Sequence, residues 1–320
     1  MNIVVTGSIA YDYLMRFPGS FRQNIKPESM NQISLSFLVE DMTRHWGGTA
    51  GNIAFTLAKL GIRPYLMGTV GRDFGEYRVW LEAVGVRTET VRQFDDLFTA
   101  SFFCNTDSEN NQLASFYSGA MARARDYHLS ELPFVPDLVI VSPNDPQAMS
   151  NYAEECRQHS WRFVYDPSQQ IARMDGDTIR RDMEGAYLMV VNQYESMLIK
   201  EKAGLSVEDL RRVVELLVIT HGKEGSEIFT NGEHIFVPVF PTEKIADPTG
   251  AGDAYRAGLL AGILHDIPLD IAGIMGSLSA VYALENVGPQ NPNFSLQEFI
   301  QRFRTLYDDR GHLDRLLKLC

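Results

Sequence analysis

A run of seven residues late in the chain, Asp247 to Asp253, places small residues between two carboxylates. Small residues recur at helical spacing after it and predict a helix that begins around residue 251. The backbone N–H groups of Gly250, Ala251 and Gly252 would then point outward at the positive end of the helix, a site suited to a migrating phosphoryl group. Asp253 could remove the proton of an attacking hydroxyl group there. Alternatively, Asp253 only stabilises the helix N-terminus.

Three further motifs contain residue types that bind ligands. Gly47 to Asn52 begins another helix after glycines, so its backbone can approach a ligand or a strand closely. Asn192 and Glu195 follow a predicted strand and could order metal-bound water. Thr220 to Gly225 follows the next strand as a turn that can lie under a nucleotide. Each of these motifs alone is a weak indication.

The elements that must position these motifs are short apolar runs separated by helical patterns. The runs are continuous rather than alternating, which indicates strands buried on both faces of a mostly parallel sheet; they lie at 3–5, 138–141, 163–165, 188–191 and 216–219. Helical patterns lie between them at 147–159, 174–184, 194–203 and 206–215. This alternation predicts an open α/β sheet with helices on both faces, whose ligands bind at the carboxyl ends of the strands.

Two stretches interrupt this rhythm and predict a small second sheet. Residues 32–40 alternate between apolar and polar side chains over much of their length, and residues 98–117 contain two Phe-rich runs around Asn110 and Asn111, as in a hairpin. Apolar residues on both faces indicate that this sheet covers a ligand, a partner subunit or both. We expect residues 11–42 and 96–120 to form a lid on a single domain that spans residues 1–320.

Composition excludes several classes of protein. The chain has 320 residues and a formal net charge of −12, which argues against a nucleic-acid-binding surface. Three well-separated cysteines indicate no disulfide framework or zinc site, and neither a signal peptide nor a run of about 18 apolar residues is present. We therefore expect a cytoplasmic protein that binds no membrane. The motifs of P-loop kinases, dinucleotide-binding folds, zinc proteases and α/β-hydrolases are missing from the sequence.

Together and in this order, the motifs resemble the ribokinase-like family of carbohydrate and purine kinases. That family shows Gly-Gly followed by Asn, then Asn-x-x-Glu, Thr-x-Gly-x-x-Gly and Asp-Thr-x-Gly-Ala-Gly-Asp, and the resemblance covers nearly the whole chain. One departure is Pro248, which stands between Asp247 and Thr249. The resemblance implies a three-layer α/β/α fold with a mainly parallel central sheet and a small β-sheet lid. It also implies that Asp253 is the general base beside an anion hole at 250–252.

Four stretches look very like bacterial adenosine and nucleoside kinases: 6–12, 34–39, 114–121 and 166–170. In that subfamily an early Asp, here Asp12, binds the ribose hydroxyls, and two phenylalanines, here Phe102 and Phe116, sandwich the purine. A carboxylate is a natural acceptor for two vicinal hydroxyls, and a flat base can stack on Phe. Packing within the small sheet is the alternative for the phenylalanines. The further substrate-binding residues that the resemblance implies are Ser8, Ser36, Gly48, Asn52, Gln169, Gln170 and Arg173.

The resemblance also implies the cofactors. ATP would lie along Asn192, Thr220, Gly222, Gly225 and Thr249, with Mg²⁺ held near Glu195 and Asn192 through water. A monovalent cation such as K⁺ would lie near Asp247 and Thr249. We expect an adenosine kinase that phosphorylates the 5′-hydroxyl and pairs as a homodimer through the lid. The alternatives are a broad nucleoside kinase for inosine, guanosine or cytidine, then a ribose or fructose kinase, and lastly a non-catalytic nucleoside sensor.

Overall fold

The computed structural model describes residues 1–24, 35–230 and 232–319. Thirteen strands lie within these residues: β1 (Ile3–Thr6), β2 (Ala10–Arg16), β3 (Asp41–Gly47), β4 (Tyr65–Gly71), β5 (Val91–Phe94), β6 (Ala100–Thr106), β7 (Gln112–Tyr117), β8 (Leu138–Val141), β9 (Phe163–Tyr165), β10 (Leu188–Asn192), β11 (Leu216–Thr220), β12 (Ser226–Phe229) and β13 (His234–Val237). Nine of them form one sheet in the order β13-β12-β11-β10-β9-β8-β1-β4-β5. The strands from β11 to β5 are parallel, and β12 and β13 add an antiparallel edge. The predicted mainly parallel sheet is confirmed.

Ten α-helices lie in the same part of the chain: α1 (Phe21–Asn24), α2 (Thr49–Lys59), α3 (Gly75–Ala83), α4 (Pro146–Gln158), α5 (Gly176–Met183), α6 (Gln193–Ala203), α7 (Val207–Val213), α8 (Ala251–Leu264), α9 (Leu269–Leu284) and α10 (Leu296–Arg304). They cover both faces of the large sheet. Ile3 and Val5 pack against residues of α2, α8 and α9, whereas Val4 packs against residues of α4, α5 and α6. Such strands are buried on both sides, which is why their sequences are continuous apolar runs. None of the helices described here is long and apolar enough to cross a membrane.

The remaining strands form a second sheet in the order β3-β2-β6-β7, which we call the lid. The predicted hairpin is confirmed as β6 and β7, and Asn110 in its turn has a left-handed φ of 63°. Strand β2 pairs with β3 antiparallel and with β6 parallel. Because β1 ends two residues before Ser8 and β2 begins at Ala10, one short turn joins the lid to the centre of the large sheet.

The strand predicted at 32–40 is wrong for residues 35–40, which form no strand; residues 32–34 lie outside the described residues. The strand is β3 instead, so the lid extends to Gly47 rather than 42. The alternation of apolar residues along β3 is interrupted in the sequence, because the charged Arg44 lies on the apolar face of the strand. The Arg44 guanidinium lies 5.2 Å from the centre of the Tyr11 ring and 4.9 Å from that of Trp46. Because a guanidinium group can stack on aromatic rings, Arg can occupy a position where an amphipathic strand normally has an apolar residue.

Candidate active site

A cavity of about 540 Å³ lies between the lid and the carboxyl ends of the central strands. Residues from the beginning, middle and end of the chain line it, as expected for a site at the edge of an open α/β sheet. Its lining contains most of the substrate-binding residues predicted from the sequence: Ser8, Asp12, Gly48, Asn52, Phe102, Phe116, Gln169, Gln170 and Arg173. It also contains Thr249, Gly250 and Asp253. Ala10, Met121 and Pro143 line the cavity too and were not predicted.

Asp12 projects into the cavity from β2, next to the glycines that end β3. A Cβ atom on Gly47 would collide with the Asp12 carboxylate. At Gly48, φ is 84° and a Cβ would lie 2.6 Å from Ala10 N, so only glycine fits there. Ser8 Oγ accepts a 2.9 Å hydrogen bond from Thr49 N at the start of α2. Burial, together with the nearby Asp253 and Asp247 carboxylates, raises the pKa of Asp12 to about 6.

Phe102 and Phe116 are direct cross-strand partners in the β6–β7 hairpin, and both line the cavity. Opposite residues of an antiparallel pair project from the same face of a sheet. The two rings therefore form one platform beside each other, rather than two surfaces that face across a gap. Phe116 is 45% exposed and free of dense packing. The predicted aromatic contact with a base stays a prediction, and the register favours stacking on one side of the base.

The turn Ser168–Ala172 carries the two predicted glutamines past the end of β9. Gln170 is buried and its Oε1 atom has no hydrogen-bond partner in the described part of the chain, whereas Gln169 is exposed. The ammonium group of Lys202 holds this turn by donating to the carbonyl groups of Ile171, Ala172 and Met174 at 2.9, 2.6 and 3.0 Å. Ser36 is exposed before β3 and is absent from the cavity lining given by the described residues, so its predicted role gains no support.

The predicted anion hole lies at the first turn of α8. Gly250 precedes the helix with a left-handed φ of 77°, and Ala251 N donates a 3.3 Å hydrogen bond to Pro248 O. The next N–H groups have no acceptor within the helix and face outward. The Asp253 side chain is 15% exposed, and its Oδ2 accepts a 2.8 Å hydrogen bond from Asn52 Nδ2. Burial raises the pKa of Asp253, while Arg256 and the Asn52 hydrogen bond oppose that increase.

Arg256 is a site residue that sequence reasoning missed. It lies one helical turn after Asp253, at 3.8 Å from Asp253 Oδ1, and its Nε is 2.8 Å from Asp166 Oδ2. Its Nη2 donates to Ser168 Oγ at 3.1 Å. Asp166 is completely buried, and burial raises its pKa to about 7 although Arg256 favours the charged form. The i to i+3 spacing from Asp253 was the available signal.

On the other side of α8, the ends of β10 and β11 carry the residues predicted to bind the nucleotide. Asn192 and Thr220 are register partners. Asn192 Oδ1 accepts from Glu195 N, and Glu195 Oε2 accepts from Asn192 N, each at 2.8 Å, so the pair forms a capping box for α6. Glu195 Oε1 remains directed at Ser168 Oγ, 3.4 Å away. Beyond Thr220, Gly222 and Gly225 have left-handed φ values of 57° and 99° in a tight turn.

Asp247 has a structural role in the loop before α8. Its two carboxylate oxygens accept hydrogen bonds from Thr249 N at 2.9 Å and Gly288 N at 3.0 Å. Burial opposes ionisation, but the hydrogen bonds from Thr249 and Gly288 hold the pKa of Asp247 below its usual value. The loop is thereby fixed to the segment after α9, and the predicted monovalent cation near Asp247 and Thr249 stays a prediction.

The buried carboxylates fit a hard divalent cation that is held through water. Both oxygens of Asp166 are buried and, apart from the ion pair with Arg256, have no hydrogen-bond donor in the described part of the chain. Glu195 contributes a second buried carboxylate nearby. Mg²⁺ prefers oxygen ligands and keeps several waters. Within residues 1–24, 35–230 and 232–319 no three acidic, His or Cys side chains converge as a ready metal site, so such an ion needs oxygens from a ligand.

The fold and this site define a ribokinase-like phosphotransferase: a helix start with outward N–H groups, a buried carboxylate beside it, and a cavity under a β lid. The sequence profile described as "pfkB family carbohydrate kinase" matches residues 3–295. The chain therefore belongs to the pfkB carbohydrate kinase family, whose members transfer a phosphoryl group from ATP to an alcohol.

Relatives within this family include several nucleoside kinases. The nucleoside kinase of Burkholderia thailandensis, solved in complex with inosine, is 38% identical and has a TM-score of 0.85; the alignment covers 95% of this chain and 98% of that one. The same enzyme has been solved with ADP and inosine. The nucleoside kinase of Methanothermobacter thermautotrophicus is 29% identical over 94% of this chain and 95% of its own. The chain thus lies close to the nucleoside kinases within the ribokinase-like family.

Proposed function

We propose that the protein is a nucleoside kinase that transfers the γ-phosphate of ATP to the 5′-hydroxyl of several nucleosides, adenosine and inosine among them. The observation that carries this proposal is the cavity in which Asp12, Phe102, Phe116 and Asp253 meet. The inosine complex of the 38% identical relative supports broad use of nucleosides over strict use of adenosine. We further propose that residues 1–320 act as one kinase domain with the lid as its moving part.

In the proposed mechanism the nucleoside binds first through its sugar and base. The Asp12 carboxylate accepts hydrogen bonds from the ribose hydroxyls, while Ser8 borders the sugar from the turn between β1 and β2 and Asn52 from the start of α2. The base rests on the platform of Phe102 and Phe116, and Gln170 presents its unpaired Oε1 to the base edge or the sugar. These contacts would leave the 5′-hydroxyl directed at the first turn of α8.

Phosphoryl transfer would take place at that turn. Asp253 accepts the proton of the 5′-hydroxyl while the oxygen attacks the γ-phosphorus, and the bond to the ADP oxygen breaks. The outward N–H groups around Gly250–Gly252 stabilise the negative charge on the transferring group. Mg²⁺, when bound, would neutralise phosphate charge. Glu195 and Asp166 would orient its water, and the positive charge of Arg256 offsets the negative charges of Asp166 and Asp253.

We also propose that two copies pair through their lids. The strand register places Tyr13, Phe103, Leu113 and Tyr117 on the lid face opposite the cavity, and we call these residues with Met42 the outer lid face. The Tyr13 and Phe103 rings stack at 4.9 Å, while Met42, Leu113 and Tyr117 remain 60%, 44% and 43% exposed. An exposed apolar sheet face with unpaired edges favours a second copy as its cover.

The test is ADP release by the purified protein with ATP and Mg²⁺ against adenosine, inosine, guanosine, cytidine, ribose and fructose. We expect several nucleosides to be phosphorylated with similar kcat/KM, because the base contacts come mainly from rings that accept any flat base. A kcat/KM for adenosine far above that for the other substrates would support a strict adenosine kinase instead. Activity on free sugars alone would contradict the nucleoside pocket, and binding without turnover would indicate a sensor.

The proposed base is tested separately with Asp253→Asn. Because the amide cannot accept the proton of the 5′-hydroxyl, this variant should lower kcat by roughly 10²–10⁴ in the same assay.

A further inference from the structure

A continuous line of hydrogen bonds runs through the protein from the end of the lid to the proposed base. Tyr77 of α3 donates its hydroxyl to Gly47 O at 2.8 Å. Gln290, in the loop after α9, donates from Nε2 to the Tyr77 hydroxyl and to Asn52 Oδ1, the latter at 3.0 Å. Asn52 Nδ2 then donates to Asp253 Oδ2 at 2.8 Å. Gln290 is 2% exposed and lies 238 residues from Asn52 in sequence.

The two ends of this line determine the direction of every bond in it. The carbonyl of Gly47 and the carboxylate of Asp253 can only accept hydrogen bonds. The Tyr77 hydroxyl therefore donates to Gly47 and must accept from Gln290, and the Asn52 amide must turn its NH₂ group to Asp253 and its oxygen to Gln290. A primary amide nitrogen has the two donors that this position requires. The Gln290 oxygen is left buried without a donor among the described residues.

We propose that Gln290 is a positioning residue that fixes the orientation of the Asn52 amide and thereby holds the Asp253 carboxylate in line for the acceptor hydroxyl. With its oxygen engaged by Gln290, Asn52 presents its NH₂ group to the Asp253 carboxylate. If the amide were reversed, its oxygen would face the Asp253 carboxylate, and repulsion would turn that carboxylate away. The inference rests on the proposed role of Asp253 as general base.

The experiment uses Gln290→Glu, Gln290→Met and Asp253→Asn in the full-length protein. The carboxylate of Gln290→Glu keeps the shape but cannot donate, and Gln290→Met has a similar length, no donor and no charge. Gln301→Glu is the matched control, because Gln301 is exposed on α10. For each variant, kcat, nucleoside KM, nucleoside Kd without ATP and melting temperature are measured.

We expect both Gln290 variants that fold to lose roughly tenfold to hundredfold in kcat, with nucleoside KM and Kd within about threefold of the parent, because only the transition state depends on the aligned base. If Gln290 had only a structural role, its variants would have a lower melting temperature but would not show a lower kcat with an unchanged nucleoside KM. Unchanged kcat in Gln290→Met, or a loss confined to KM, would overturn the inference while Asp253→Asn remains impaired. Full activity of Asp253→Asn would instead overturn the proposed base.

Discussion

At the scale of single residues, the site places several carboxylates where water cannot fully solvate them. Asp12 illustrates the consequence: burial and two neighbouring carboxylates raise its pKa to about 6, so the folded protein holds it ionised at neutral pH at a cost in stability. The group that we expect to recognise the ribose is therefore also one that destabilises the empty pocket. Function and stability oppose each other at this residue.

The first prediction concerns Asp12→Asn. Because the pKa of Asp12 in the folded state lies above its ordinary value of 3.8, the folded state binds more protons than the unfolded state between pH 4 and 6. Stability therefore falls as pH rises through this range. At pH 7 we expect the variant to gain about 1–3 kcal/mol in free energy of unfolding and to bind nucleoside more weakly. Denaturant unfolding at pH 4 and pH 7 checks this, since the gain should vanish at pH 4.

Two results for Asp12→Asn would contradict this prediction: normal nucleoside affinity, or an equal gain in free energy of unfolding at pH 4 and pH 7. Normal affinity would remove Asp12 from the sugar site. An equal gain would mean that the substitution acts through packing rather than through the buried charge.

At the scale of elements, α8 and α9 form a packed pair, and the first turn of α8 is the one proposed to be catalytic. Glycines permit their close approach: a Cβ on Gly258 would lie 2.6 Å from Met275 O and 2.9 Å from Gly276 Cα, and one on Gly262 would lie 2.8 Å from Ala272 Cα. Because the backbones are in direct contact, α8 cannot shift without α9. The first turn of α8 is thereby held at a fixed distance from the sheet.

The second prediction concerns Gly258→Ala. The added methyl group would meet backbone, which cannot rotate away, so we expect a loss of about 1–3 kcal/mol in free energy of unfolding despite the better helix propensity of Ala. Gly75→Ala is the control, since a Cβ at that helical position has nothing within 4 Å. It should be neutral or stabilise by up to about 1 kcal/mol. Equal melting temperatures for the two variants would contradict the close packing of α8 on α9.

Elements of this kind could largely be predicted from sequence, whereas contacts between them could not. Buried strands such as β8 are continuous apolar runs, and glycines mark the starts of α2 and α8. Local composition was therefore sufficient to locate these elements in the sequence. Strand β3 was missed because its Arg44 packs on rings that only the folded lid brings near. Asn52 and its partners Asp253 and Gln290 lie far apart in sequence, and Asp166 lies far from Arg256. No periodicity connects a loop residue such as Gln290 to a helix start.

At the scale of the whole molecule, one face of the lid covers the cavity and the opposite face is the exposed outer lid face. The cavity face and the outer lid face share the same four strands, so an assembly that covers one also restricts the movement of the other. A dimer formed through the lids would hold them close to closed and reduce the entry of water.

The third prediction tests this assembly with Leu113→Asp. A charge on the apolar face of the edge strand β7 should convert the dimer to a monomer at micromolar concentration, as measured by sedimentation velocity. Leu306→Asp is the control, because Leu306 is 53% exposed but lies in the segment after α10, away from the lid. A parent protein that is monomeric, or a Leu113→Asp protein that remains dimeric, would contradict assembly through the outer lid face.

The crowding of acidic groups around the cavity has a consequence for product departure. Asp12 interacts with Asp253 and Asp247, and Asp166 interacts with Asp253 and Glu195, with Arg256 as the buried cation among them. In the proposed reaction a nucleoside would enter this acidic cavity uncharged and acquire a phosphate dianion there. Once ADP and its counter-ions had left, like charges would face each other at short range in a poorly screened space. In the proposed mechanism, the carboxylates that bind an uncharged nucleoside would therefore repel its phosphorylated product, and we expect them to speed product release.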